Sequence, residues 1–247
     1  KILQALPNGP KEGIVLPQYN AIRETLTLQM MARQAGGSLF SKDGKTAQLD
    51  SAPVIRALQQ WGDMVNVAKI NQPALGPTAS TYPEDLWGDG TAGMNNTGGT
   101  WVISRIQQEW PKVKTAYSVG PQPTFSDGKK VGGTLYGFGL FVPVTSKQKA
   151  AAWKFASYLL AQGQRYFDET GVWLGDYKTL NSAKTKASPN WAAFSANFQA
   201  GEFLPPIVRY SELIEVVQRA VQRVVLQGES AATSLKKAQQ EAIPLMK

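Results

Sequence analysis

The sequence predicts an α/β fold, because short apolar runs typical of strands alternate with amphipathic helices. Gly13-Ile14-Val15-Leu16 has the composition of a buried strand and stops at a proline. Apolar residues recur at helical spacing along 55–65 and 214–225, with polar side chains between them. Ser51 is the expected N-cap of the first helix, and Gly228 ends the second. A chain of 247 residues can bury one large core or two modest ones.

The segment 86–101 combines a turn, a short strand, two glycines and a tryptophan. Asp89-Gly90 marks the turn. Gly98-Gly99 precedes a predicted helix and leaves backbone N–H groups bare at its start. Bare amides beside the flat face of Trp101 suit a polar ligand with apolar faces, such as a sugar. The alternative is that the glycines only form the turn and that Trp101 belongs to the core.

Composition excludes several kinds of chemistry. The chain has no Cys and no His, so disulfides, thiolate or His-activated nucleophiles and His-ligated zinc are excluded. The net charge of +8 comes from scattered lysines, so we expect no nucleic-acid partner. The same positive balance leaves an anionic ligand open, such as a sugar acid or a phosphate ester. No apolar run approaches the ~20 residues of a membrane span.

Five pieces of the chain, in this order, resemble the extracellular solute-binding proteins of ABC sugar importers, the large class that includes maltose-binding protein. They are Gly36–Phe40 with Asp43-Gly44-Lys45, Ser51-Ala52-Pro53, Leu86–Trp101, Pro143–Phe155 and Glu202–Pro206. None of these pieces is a motif unique to the family, so the resemblance depends on all five occurring in the family's order.

The resemblance implies a periplasmic-binding-protein-like (type II) architecture with two lobes. It assigns residues 1–140 to the first part of the C-terminal lobe, 141–186 to a segment of the N-terminal lobe, and 187–247 to the last helices of the C-terminal lobe. Most of the family's N-terminal lobe has no counterpart in the chain. No signal peptide begins it, and residues 1–6 have the pattern of a helix end, so we expect the chain to start inside a larger protein.

The resemblance also implies a ligand site in an interlobe cleft. Tyr19 is the aromatic expected against the ligand, although it could equally seal the core. The remaining candidates are polar, glycine or aromatic residues of loops and helix starts, namely Asn20, Arg23, Asn96, Thr97, Gly98, Gly99, Trp101, Gly132, Gly133, Trp173, Arg209 and Tyr210. Arg23 and Arg209 could also be surface residues beside helix starts. Trp173 departs from the family pattern, which places an aromatic directly after Gly171 and a proline further on.

The function implied is that of the substrate-binding component of an ABC transporter, which captures a carbohydrate, polyol or sugar acid. Such a protein needs no catalytic residue, cofactor or metal. Its partner is the permease, and it lies in the periplasm or at the cell surface, held to the membrane only through the permease or a lipid anchor. A glycoside-processing enzyme with a carboxylate pair is the alternative. A lobe without its partner would expose apolar surface and dimerise or bind weakly.

Overall fold

The computed structural model describes residues 5–17, 20–71, 83–96, 98–188 and 190–247. The chain divides into two compact units. Unit 1 comprises Lys1–Thr97, Pro121–Leu135 and Ala196–Lys247, and unit 2 comprises Gly98–Gly120 and Tyr136–Ser195. These units are defined by contacts, and the predicted lobe boundaries at 140 and 186 stay a prediction.

Helices make up most of the regular structure. In chain order they are α1 (Ala21–Gln34), α2 (Ala52–Asn66), α3 (Pro83–Gly88), α4 (Val102–Gln108), α5 (Lys149–Leu160), α6 (Gly163–Thr170), α7 (Tyr177–Leu180), α8 (Ala183–Lys186), α9 (Trp191–Gln199), α10 (Tyr210–Gln227) and α11 (Ala231–Ala242), followed by a 3-10 helix, Ile243–Met246. Two short strands, β1 (Thr134–Leu135) and β2 (Glu202–Phe203), pair in parallel, with Thr134 opposite Glu202. None of the helices in the described part of the chain is both long and apolar enough to cross a membrane.

The core of unit 1 lies where α1, α2, α10 and α11 pack together. Trp61 is one of the apolar residues at helical spacing along 55–65, which predicts a core position, and its full burial there confirms this prediction. The predicted apolar stripe of α10 is also confirmed, since Val217 and Val221 are buried among the side chains of α2 and α11. The sequence predicts helices over 21–34 and 231–242, and α1 and α11 have these bounds; a capping side chain, Asn20 or Ser230, precedes each of them.

Two extended segments of unit 1 run side by side in parallel. Bridges join Glu12 to Ala92 and Val15 to Asn95, and Val15 N–H donates to Met94 O at 2.8 Å. The segment predicted as a buried strand at 13–16 is buried, but isolated bridges and not a continuous strand join it to its neighbour. Because the segments are parallel, their carboxyl ends lie at the same edge, which is where open α/β sheets place their ligands.

Unit 2 has a smaller buried interior, formed by Val102, Ile106, Trp110, Ala156 and Phe167. Helix α5 contributes only Ala156 to it.

Two sequence predictions about this region were wrong. Helical spacing in the sequence predicts that Trp153 and Leu160 point inward from α5, but they are 53% and 50% exposed. The sequence also predicts strands at 117–121 and 135–142, from short apolar and aromatic runs, but within these ranges only Leu135 is paired.

Candidate functional site

The predicted site residues are distributed over both units. Asn20, Arg23, Asn96, Gly132, Gly133, Arg209 and Tyr210 lie in unit 1, and Gly98, Gly99, Trp101 and Trp173 lie in unit 2. Tyr19 and Thr97 fall outside the described residues, so their roles stay predictions.

At the start of α1, the backbone N–H groups of Asn20, Ala21 and Arg23 are bound within the protein. Asn20 is the N-cap, and its Oδ1 accepts a hydrogen bond from Arg23 N–H at 3.0 Å. When the Gln218 amide is oriented to suit its neighbours, its oxygen accepts from the backbone N–H groups of Asn20 and Ala21 at 3.2 and 3.1 Å. Asn20 therefore shapes the helix start, and its Oδ1 is engaged within the chain.

Arg23 is held by a buried carboxylate. Its Nη1 lies 2.5 Å from Oε2 of Glu84, and the two side chains are 25% and 1% exposed. Glu84 belongs to the first turn of α3, so this ion pair ties α3 to the start of α1. Glu24, the next residue of α1, is also 1% exposed. The interior beside the candidate residues is therefore rich in carboxyl groups.

Asn96 stands at the carboxyl end of the second extended segment, one residue after the bridge between Val15 and Asn95. The side chain is partly buried, and its Oδ1 is covered and accepts no hydrogen bond from the described residues. An acceptor in this state costs about 1–3 kcal/mol, so a donor that reached it would be bound favourably.

The two glycines at 132–133 have different surroundings. A Cβ on Gly132 would lie 2.0 Å from Asn197 O and 2.5 Å from Gly201 N. Its small size therefore serves the close approach of another backbone segment. A Cβ on Gly133 would meet nothing within 4 Å, so only Gly133 still offers open space.

Arg209 is exposed and forms a two-pronged ion pair with Glu212, in which Nε donates to Oε1 at 2.8 Å and Nη2 donates to Oε2. The hydrogen bond to Glu212 raises the pKa of Arg209 and in turn lowers the pKa of Glu212. Tyr210 begins α10 and is half-buried, and this burial raises the pKa of its hydroxyl. The guanidinium of Arg209 is therefore already paired with the carboxylate of Glu212, in the first turn of the helix that follows it.

Trp101 precedes α4 in unit 2 and is half-buried. A Cβ on Gly99 would lie 3.2 Å from its Cδ1 and 3.3 Å from its Nε1, so the indole edge lies against Gly99. The Ser104 hydroxyl bridges the carbonyls of Trp101 and Thr170, at 3.0 and 3.1 Å.

Gly171 brings the loop of Trp173 close to this helix start. It has a φ of +72°, and a Cβ there would lie 2.4 Å from Thr100 O. The loop that bears Trp173 therefore packs directly against the backbone that bears Trp101. The structure thus brings two predicted aromatic residues onto adjoining segments.

Trp173 also belongs to a row of three aromatic rings. Its ring centroid lies 6.2 Å from that of Phe167 and 5.1 Å from that of Trp191, the latter edge to face. Such edge-to-face pairs stabilise aromatic clusters by about 0.5–1.5 kcal/mol. Sequence reasoning missed the contact between Trp191 and Trp173, because no periodic signal links two residues that are 18 positions apart.

Unit 2 contains the aromatic rings of Trp101 and Trp173. Unit 1 contains the amide oxygen of Asn96, which has no hydrogen-bond partner among the described residues. Groups of these kinds suit polyhydroxylated molecules, since aromatic faces pack on C–H groups and amides bind hydroxyls. In the part of the chain that the structure describes, no three Asp, Glu, His or Cys residues are grouped so that they could hold a metal ion.

Comparison with known proteins identifies the family. The sequence profile of the bacterial extracellular solute-binding proteins matches residues 7–166. The chain belongs to this family. Similar curated proteins from Brucella abortus (strain 2308) and Brucella suis biovar 1 (strain 1330) are both 27% identical over 221 residues, which cover 86% of the chain and 51% of each relative. Both are provisionally named as binding proteins. The chain thus spans about half the length of these relatives.

Solved structures show the same fold. An ABC transporter solute-binding protein from Thermotoga lettingae, bound to α-D-tagatose, has a TM-score of 0.84 and 23% identity, with 96% of this chain and 60% of that chain covered. Maltose-bound MalE3 of T. maritima has a TM-score of 0.80 and 20% identity, with 93% and 59% covered. A solute-binding protein from Agrobacterium radiobacter in complex with ribitol has a TM-score of 0.80 and 18% identity, with 95% and 60% covered. The type II, two-lobe architecture predicted for the fold class is therefore confirmed as the fold to which this chain belongs.

Proposed function

We propose that the chain is the substrate-binding component of an ABC importer and captures a carbohydrate or a related polyol. The observation that carries the proposal is the family match over residues 7–166 combined with the aromatic segments of Trp101 and Trp173. Similar structures hold tagatose, maltose and ribitol, which all present hydroxyl groups around a carbon skeleton. Tryptophan faces suit the C–H side of such a ligand, and amides suit its hydroxyls.

The whole protein would work outside the cytoplasm and deliver its ligand to a permease. Family membership supports the extracytoplasmic location, and the partner follows from the importer role. Binding and release require no bond to be broken, so we propose no catalytic residue and no cofactor. The alternative of a glycoside hydrolase would require turnover of an aryl glycoside that a single Asp or Glu substitution abolishes.

The proposal predicts that Trp101 is needed for ligand binding. Calorimetry of the purified chain, and of the product of its full reading frame, against ribose, glucose, tagatose, maltose and ribitol should find at least one ligand. Trp101→Ala should weaken the affinity for that ligand about tenfold or more, because an aromatic ring stacked on the ligand contributes on the order of 1.4 kcal/mol to the binding free energy.

Trp153→Ala is the matched control, because Trp153 is an exposed tryptophan of the same unit that belongs to no predicted site. It should leave the affinity unchanged. Equal losses in both variants would contradict a specific role for Trp101. Failure of every sugar and polyol to bind would overturn the proposed function.

A further inference from the structure

We infer that Gln218 of α10 is a positioning residue, which fixes the candidate ligand residue Asn20 by binding the backbone at the start of α1. The inference rests on the proposed function, because the position of Asn20 matters to a ligand only if the chain binds one. It goes beyond that function by giving a role to a side chain that is not among the ligand candidates.

Gln218 contacts α1 through its side-chain amide. The amide oxygen accepts hydrogen bonds from two successive backbone N–H groups, those of Asn20 at 3.2 Å and Ala21 at 3.1 Å. An amide oxygen has two lone pairs, so a single side chain can bind both donors. In this orientation the oxygen and the nitrogen of the amide both meet groups of the opposite hydrogen-bonding kind. Since the first N–H groups of a helix have no partner within the helix, a second helix here provides one.

Asn20 is thereby held through its backbone as well as through its side chain. Its Oδ1 accepts from Arg23 N–H at 3.0 Å, as an N-cap does. This capping bond ties Asn20 only to its own helix. The bond to Gln218 ties it to α10, so the placement of Asn20 in unit 1 depends on Gln218.

Helix α10 is a rigid base for this attachment. Val217, next to Gln218, and Val221, one turn further on, are 0% and 1% exposed in the core of unit 1. Close-packed side chains of this kind keep a helix in one position. Gln218 itself is partly buried at the contact of α10 with α1. The start of α1 is therefore fixed to one of the best-packed elements of the chain.

The same helix carries two further ligand candidates. Arg209 precedes α10 and Tyr210 begins it, eight positions before Gln218. At 1.5 Å per residue, this separation is about 12 Å along the helix axis. One rigid helix thus presents Arg209 and Tyr210 at its start and holds Asn20 from its third turn. Such a common support preorganises the side chains of a binding site.

Asn20 also lies close in sequence to the edge where a ligand is expected. Val15 pairs with Asn95 near the carboxyl ends of the two parallel segments, and Asn20 follows Val15 by five residues. Asn96 stands at the same edge, and its Oδ1 accepts no hydrogen bond from the described residues. Because hydrogen bonds to a ligand require close alignment, a small displacement of Asn20 should weaken binding.

The test removes the acceptor of Gln218 without shortening the side chain. Gln218→Met loses the oxygen, whereas Gln218→Glu keeps an acceptor that the positive end of the α1 dipole favours. Both variants and the wild type are titrated by calorimetry with ribose, glucose, tagatose, maltose and ribitol. For the ligand that binds, Gln218→Met should weaken the affinity about fivefold or more, and Gln218→Glu should stay within about twofold of the wild type.

Gln222→Met is the matched control. Gln222 lies one turn further along α10, is partly buried like Gln218, and forms no side-chain hydrogen bond with the described residues. Its replacement should leave the affinity unchanged. An equal loss in the Gln222 and Gln218 variants would overturn the inference, because the loss would then not come from the bond to α1.

Amide hydrogen exchange separates positioning from a general loss of stability. In Gln218→Met the amides of Asn20 and Ala21 should exchange about tenfold or more faster than in the wild type, while the core amides of α10 keep their rates. A folded Gln218→Met protein with wild-type affinity, or with wild-type exchange at Asn20 and Ala21, would overturn the inference and leave the proposed function standing. If the wild type bound no member of the panel, the proposed function and the inference would both fail.

Discussion

Gly132 and Gly133 show how one residue type can serve two purposes at adjacent positions. The backbone of residues 197–201 approaches Gly132 so closely that no Cβ fits, while Gly133 faces open space. The approach is stabilised by a hydrogen bond from Gly132 N–H to Ala200 O at 2.9 Å. Neither residue has a positive φ, so the requirement at Gly132 is one of space and not of backbone conformation.

Gly132→Ala should therefore destabilise unit 1 by about 1–3 kcal/mol, because its Cβ would collide with backbone atoms that have no rotamer to adjust. Gly133→Ala should change the free energy of unfolding by less than about 0.5 kcal/mol. Urea unfolding followed by circular dichroism measures both values. Similar losses of stability in the two variants would contradict this explanation, because only at Gly132 would a Cβ collide with the backbone of residues 197–201.

At the scale of elements, helix ends are formed in two different ways. Ser230 precedes α11, and its hydroxyl accepts from Thr233 N–H at 3.2 Å. Ser51 precedes α2 with the same extended backbone, but its side chain makes no capping bond and its Oγ is buried without a partner among the described residues. The sequence predicts Ser51 as an N-cap, and the position is correct although the hydroxyl does not contribute a bond.

This difference predicts opposite results for the same substitution. Ser230→Ala should cost about 1 kcal/mol, because it removes an acceptor from the first turn of α11. Ser51→Ala should be neutral or slightly stabilising, because it removes a buried polar atom that gains nothing in the folded state. Thermal and urea unfolding of the two variants under identical conditions test the contrast, and a larger loss at Ser51 would contradict it.

At the scale of the whole molecule, the sequence predicted what local periodicity encodes and missed what long-range contacts decide. The stripe of α10 and the burial of Trp61 followed from spacing alone, because both belong to helices with one clearly apolar side. Helix α5 is apolar on most sides, so spacing could not say which residues are covered. Among the site residues, the positions of Asn20 just before α1 and of Asn96 at the end of an extended segment were predictable, but the pairing of Arg23 with Glu84, 61 positions away, was not.

The two units differ in how much apolar surface they bury, and this predicts a difference in local stability. The large core cluster lies entirely in unit 1, whereas α5 in unit 2 contributes a single buried alanine. Helices with few buried contacts open locally at low cost, while core helices exchange their amides only on larger unfolding.

In native-state hydrogen exchange, the amides of α2, α10 and α11 should therefore exchange at least about a hundredfold more slowly than those of α5. The measurement is made at two protein concentrations, because the exposed aromatic residues Trp153, Phe155 and Tyr158 could be covered by a second copy of the chain. Slow exchange in α5 only at the higher concentration would reveal self-association through this helix. Equal protection of α5 and α10 at both concentrations would contradict the prediction, since a helix with one buried residue would then be as stable as the core.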